Sequence, residues 1–259
     1  MKRIRIVGLC LVAVFAFSAM VASSASAGTY KWCQPMKKGE YTTSSCATKS
    51  AKAKKGHFEK TTGRKYTATT LGANLATPAL GPNAVECSAS TTVGEITGPK
   101  TDVQVVTFTG CQLEGKKCES TALFGNGTPS GIAGVIITNK LDSKLVDNGE
   151  KAGGYKHEEP PVGHAWDELV SSEHEPYSSE FICGGTIILR THGSVSGDVS
   201  PVNTLGKTTT VTFTPTGGAE QALLTEVFNG TEFIPPGGAP TTEETVGTNT
   251  NEKEIEVAT

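Results

Sequence analysis

The stretch Val93-Gly-Glu-Ile-Thr-Gly98-Pro-Lys-Thr-Asp-Val-Gln-Val-Val-Thr-Phe-Thr-Gly-Cys111-Gln-Leu-Glu-Gly-Lys-Lys-Cys118 fixes the fold class. Residues 103–109 are Val, Thr and Phe apart from one Gln, the composition of a pleated strand. Gly98-Pro99 punctuates the chain before it, and a short cysteine loop follows it. Parts of this stretch recur downstream. Cys87, Gly94-Glu-Ile-Thr-Gly98 and Val106-Thr-Phe-Thr109 are echoed by Cys183, Gly193-Ser-Val-Ser-Gly197 and Val211-Thr-Phe-Thr214. Three landmarks in one order suggest an internally duplicated β unit, with insertions in the second copy.

Strand composition spreads outward from this centre. Residues 66–71, 85–90, 135–138, 141–146, 162–169, 180–183, 186–191 and 209–214 read as short strands. In 209–214, Val211 and Phe213 share one face and three threonines the other, the period of a half-buried strand. Residues 222–228 and 231–234 flank Asn229-Gly230, which predicts a hairpin with a type I′ turn. No window of helical length keeps an apolar face unbroken by Gly or Pro; residues 167–175 could form one short helical turn. Thirty glycines and thirteen prolines divide the chain. The expectation is an all-β, disulfide-stabilised β-sandwich or barrel of many short antiparallel strands. The Pro/Gly/Thr segment 235–250 reads as a surface loop or linker, with a last strand at 254–257.

The N-terminus carries Lys2, Arg3 and Arg5, an apolar run to about Val21, and Ala25-Ser-Ala27. This is the arrangement of a secretory signal peptide, with cleavage after Ala27. Residues 28–63 are poor in large aliphatics and rich in lysine over 49–60. They are expected to form a disulfide-tied arm outside the core, ahead of a β domain at 64–259. Loss of three basic residues takes the net charge from −3 to −6. An acidic chain argues against nucleic-acid binding, and no later segment is long and apolar enough to cross a membrane as a helix.

Six cysteines remain after cleavage: Cys33, Cys46, Cys87, Cys111, Cys118 and Cys183. An even number in an exported chain implies bridges, and six allow fifteen pairings. The expected set is Cys33–Cys46 and Cys111–Cys118 across short polar loops, with Cys87–Cys183 joining the echoed landmarks. No C-x-x-C favours a thiolate metal site.

Several motifs together resemble a known group. They are the Arg5-Ile-Val-Gly-Leu-Cys leader, Gly94-Glu-Ile-Thr-Gly-Pro-Lys-Thr101, Val106-Thr-Phe-Thr-Gly-Cys111, Phe181-Ile-Cys-Gly-Gly185, and Gly193-Ser-Val-Ser-Gly197 with Pro201-Val-Asn203. Most of the chain is similar to an uncharacterised, multi-paralogue family of secreted proteins from soil actinobacteria. The resemblance implies an exported β-rich protein. It brings no activity, cofactor or catalytic residue.

Local motifs for chemistry are sparse. His157, His164 and His174 stand among Glu158, Glu159, Asp167, Glu168, Glu173 and Glu175. Histidine with carboxylate suits Zn²⁺, but the spacing is irregular and no His-Glu-x-x-His is present. A polar, proline-bounded loop explains the same residues. A serine-hydrolase elbow is missing, because Gly193-x-x-x-Gly197 carries Val195 at the nucleophile position. No cofactor motif is found. Paired carboxylates leave no local signature, so a hydrolase of that kind would declare itself only as a cleft with two facing acids and a raised pKa. The leading expectation is a non-enzymatic extracellular or envelope-associated domain that binds polymer or protein. An extracellular carboxylate hydrolase and a histidine metal module are the alternatives.

Overall fold

A computed structural model describes residues 29–53, 55–147, 151–152, 155–156, 160, 162–172, 176–214 and 221–259. Residues 1–28, where the signal peptide is expected, and His157 and His174 lie outside these residues. The strands in chain order are β1 (Lys31–Gly39), β2 (Gly56–Lys60), β3 (Arg64–Ala76), β4 (Ala84–Ile96), β5 (Thr101–Thr109), β6 (Gln112–Leu113), β7 (Lys116–Ser120), β8 (Val135–Ile137) and β9 (Leu141–Val146). They continue with β10 (Lys151–Ala152), β11 (Tyr155–Lys156), β12 (Ala165–Ser171), β13 (Ser179–Cys183), β14 (Ile187–Ser200), β15 (Gly206–Phe213), β16 (Gln221–Phe228) and β17 (Phe233–Ala258). The single helical element among the described residues is a 3₁₀ turn at Pro78–Leu80.

Antiparallel pairing runs β3-β4-β5-β9-β12-β14-β15-β17 and returns to β3, which closes an eight-strand barrel. A second closed circuit shares β3, β4, β14 and β17 but replaces the short strands by β6, β7, β13 and β16. Four long strands thus span the barrel, and two sets of short strands complete a lower and an upper ring. Closure removes the exposed edges that a sheet this size would otherwise present.

The predicted strands are present. Asp167, read both as strand and as the start of a helical turn, lies in β12, and residues 173–175 fall outside the described residues. Two local expectations are corrected. The Asn229-Gly230 hairpin forms, but its loop has four residues, because Phe228 pairs with Phe233. Asn229 Oδ1 accepts from the amides of Thr231 and Glu232, an Asx turn in place of type I′. The segment 235–250 is barrel wall, not linker. Its Pro235-Pro-Gly-Gly238 run is absorbed as a bulge: Val227 pairs with Ile234, yet Thr225 pairs with Ala239. Prolines there need no ladder partner, and Gly237 and Gly238 take the positive φ that the bend demands. Glu226 closes the bulge by accepting from the Gly237 amide.

The N-terminal arm is tied by Cys33–Cys46 as expected, but it is not peripheral. β1 pairs with the end of β17. Tyr30 and Trp32 join Tyr66, Ile96, Leu145, Val199, Ile255 and Val257 in the core that plugs the lower ring. The other two bridges correct the expected pairing. Cys87 bonds Cys111 and Cys118 bonds Cys183. Cys118 and Cys183 face each other in register across β7 and β13. Cys87 follows Val85 and Glu86, which pair with Leu113 and Gln112, so Cys111 falls opposite it. All four belong to the core of the upper ring with Phe181 and Leu189; the partners are exchanged because strand register, not loop proximity, sets them. Three bridges fit a chain that folds in an oxidising, extracellular-like compartment. The echoed landmarks do not occupy equivalent places: Gly94–Gly98 ends a strand and turns, whereas Gly193–Gly197 lies within β14.

One glycine is placed by contact. Gly94 stands opposite Tyr66 in the ladder, and a Cβ on it would overlap the Tyr66 ring. Gly94→Ala is therefore expected to cost about 1–3 kcal/mol. Urea denaturation checks this; a loss below about 0.5 kcal/mol would show that the ring can move aside.

Candidate binding cavity

The middle of the barrel is not filled. Above the lower core and below the upper one lies a cavity of about 140 Å³. Its apolar side is formed by Val106, Leu141, Leu169 and Val195, with Phe108 and Phe213 packed against them. Its polar side carries Tyr66, Ser90, Thr92, Gln104 and Asp167. Each of these follows from strand alternation. On β5 the inward positions are Asp102, Gln104, Val106 and Phe108, and on β12 they are Ala165, Asp167 and Leu169.

Inward polarity runs against the simplest reading of β4. Val93 is 64 % exposed, while Ser90 and Thr92 are buried. A core that must be dry would reverse that choice. Hydroxyls and amides facing inward mark a section of barrel built to meet polar groups.

A carboxyl pair lies at the base of this polar side. Asp102 and Asp167 are 3 % and 6 % exposed. The Tyr66 hydroxyl donates to Asp102 Oδ2 at 3.1 Å, and the Ser143 hydroxyl donates to Asp167 Oδ1 at 2.5 Å. Ser143 sits directly across the ladder from Asp102, so it stands between the two acids. Burial, partly offset by these hydroxyls, raises Asp102 to about 6. Burial and the neighbouring acids push Asp167 well above the ordinary carboxylate range. Burial and the two acids raise the Tyr66 phenol in turn. Glu243, on β17, lines the cavity farther up. The residue keeps some exposed surface, yet desolvation of its carboxyl dominates and raises it to about 7.

On the side of β12 and β13, β14 leaves His192 and Gly193 without ladder partners among the described residues. There β12 ends its pairing with β14 at Ser194, and β13 begins at Thr191. A shallow depression lined by Val170, Ser171, Ser172, Pro176, Gly193 and Ser194 shares three of its residues with the cavity wall.

Of the three histidines expected to form a metal module, His164 alone lies among the described residues. Nδ1 of His164 bonds Asp198 Oδ1 at 2.7 Å on the outer surface, an arrangement complete in itself. No cluster of three or more metal-ligating side chains occurs among the described residues. The residues that matter were not singled out from sequence as a site. Asp102 lies inside the central stretch and Asp167 beside the histidines, but nothing local joins them. Only the β5-β9-β12 ladder does.

No helix of the described residues is long and apolar enough to cross a membrane. No family model matches the chain, and no curated protein or solved structure is significantly similar to it.

Proposed function

We propose that this is a secreted, non-catalytic binding protein that holds a small ligand inside its barrel. The observation that carries this reading is the mainly apolar cavity, with a few inward polar groups, within a closed, disulfide-stabilised wall. Small-molecule sites are concave and largely apolar, with a few placed polar groups. The volume is close to that of an engineered cavity of roughly 150 Å³ known to hold benzene, so the occupant is a small molecule or one end of a longer one.

The carboxyl pair keeps a hydrolase as the second reading, since two acids with raised pKa values do meet. Their burial argues against it. Glycosidic chemistry needs both carboxyls to flank a substrate bond with room for water, and Asp102 is enclosed behind Tyr66 and Ser143.

The test uses the disulfide-bonded protein and a fragment library read by ligand-observed NMR. Val195→Phe, which fills the cavity from β14, is expected to reduce binding of cavity fragments by at least about tenfold while the far-ultraviolet spectrum is retained. Fragments that bind both proteins equally, or a library silent against the wild type, would overturn the reading.

A further inference from the structure

The cavity is electrostatically one-sided. Asp167 and Glu243 line it, and Asp102 stands behind Tyr66 in the same hydrogen-bonded network. No lysine, arginine or histidine is among its described lining residues. Asp102 Oδ1 is buried without a hydrogen-bond partner. Carboxyl groups withdrawn from water are unfavourable as anions unless a cation or several donors compensate. Here the Tyr66 and Ser143 hydroxyls donate to the two aspartates, and no basic side chain is among the described lining residues.

We propose that the cavity takes a small organic cation: an amine whose apolar body is about the size of one six-membered ring. Its ammonium would face Asp167, and its body would lie against Leu169, Val195 and Phe213. The inference rests on the barrel being a binding site, as proposed above, and adds the chemical class of the ligand. An anion would meet the Asp167 carboxyl with no basic side chain among the described lining residues. A bare metal ion would leave the apolar wall unused. A neutral ligand could bond the hydroxyls and the protonated Asp167 but would gain nothing from its ionisation.

The same electrostatics set the pH dependence. The groups facing Asp167 are Tyr66 from β3, Asp102 from β5, the Ser143 hydroxyl from β9 and Glu168 on its own strand; β14 presents only Gly197 opposite it. In the empty barrel the acids hold their protons to higher pH than ordinary carboxyls, with Asp102 near 6 and Glu243 near 7. An ammonium binds the ionised form. Affinity should therefore rise with pH through this range, with protons released on binding.

Calorimetry on the disulfide-bonded protein with benzylamine, benzyl alcohol and benzoate, at pH 5 and pH 8, tests this. The three probes share size and differ in charge. Benzylamine is expected to bind about tenfold tighter at pH 8 than at pH 5. Benzyl alcohol should bind more weakly than the amine at pH 8 and show no such change, and benzoate should bind least. Asp167→Asn should lower benzylamine affinity and flatten its pH dependence; should that variant fail to fold, the wild-type pH series decides alone. Alcohol binding as tightly as amine would overturn the cation assignment and leave the barrel a binding site. Benzoate binding best would do the same. Silence from all three probes would also overturn it; cavity fragments lost on Val195→Phe would then show that only the ligand class was wrong.

Discussion

Replacing Cys118 and Cys183 together by alanine is expected to cost about 4 kcal/mol of stability. The bridge closes a loop of 65 residues, and the chain-entropy relation gives about 4.3 kcal/mol for that length. The same relation gives about 3.5 kcal/mol for Cys87–Cys111 and about 2.9 kcal/mol for Cys33–Cys46, whose separations are 24 and 13. Position reinforces the order. β7 holds β13 through only three paired residues, Ser120 with Phe181, Glu119 with Ile182 and Cys118 with Cys183. The bridge therefore fastens a short ladder of the upper ring, within a core of buried side chains. The melting temperature should fall by roughly 8–16 °C for a domain of this size. Cys87→Ala with Cys111→Ala should cost less, because β4 stays paired to β3 along its length. A reversed order of the two double variants, or a non-reducing peptide map that links Cys118 to any residue but Cys183, would refute the assignment.

The cysteines also show where sequence reading stops. That all six are bridged follows from number and compartment. Which bonds which depends on the register of strands far apart in the chain, and register is a property of the closed barrel. Strands such as β5 and β15 were legible because Val and Phe alternate with Thr, and the hairpin was legible through Asn229-Gly230. The segment 235–250 misled because Pro and Gly usually interrupt ladders, yet here one bulge gathers Pro235 to Gly238 and the strand continues beyond it. Trp32 looked peripheral because its surroundings are polar; its burial comes from the end of β17, more than two hundred residues later.

The candidate site was less visible still. Patterning assumes that apolar residues face inward. In the middle of this barrel Ser90, Thr92, Gln104 and Asp167 face inward, while Leu71 is 94 % exposed. A reading by hydrophobicity inverts such strands. The inversion itself is informative, because local rules fail most often at functional sites.

Acidity should stabilise the carboxyl pair, and neutrality should weaken it. Below about pH 4 Asp102 is protonated whether the chain is folded or not, and its contribution to stability is fully present. As pH rises, the unfolded chain releases this proton near the ordinary value of 3.8, while the folded chain holds it until about 6. The folded state binds more protons across that interval, so stability falls with pH and levels off above the folded value. The difference corresponds to about 3 kcal/mol from Asp102. Asp167, raised by burial and by its acidic neighbours, works in the same direction and to higher pH. Every other titrating group also contributes to the slope of the whole protein. The comparison with Asp102→Asn isolates the share of Asp102. Asparagine can still accept from the Tyr66 hydroxyl but carries no charge to desolvate. Relative to the wild type, the variant should gain up to about 3 kcal/mol between pH 4 and pH 8, read from urea unfolding at each pH. A difference between the two proteins that does not change with pH would mean that Asp102 is not raised, and that the polar side of the cavity is more hydrated than its burial indicates.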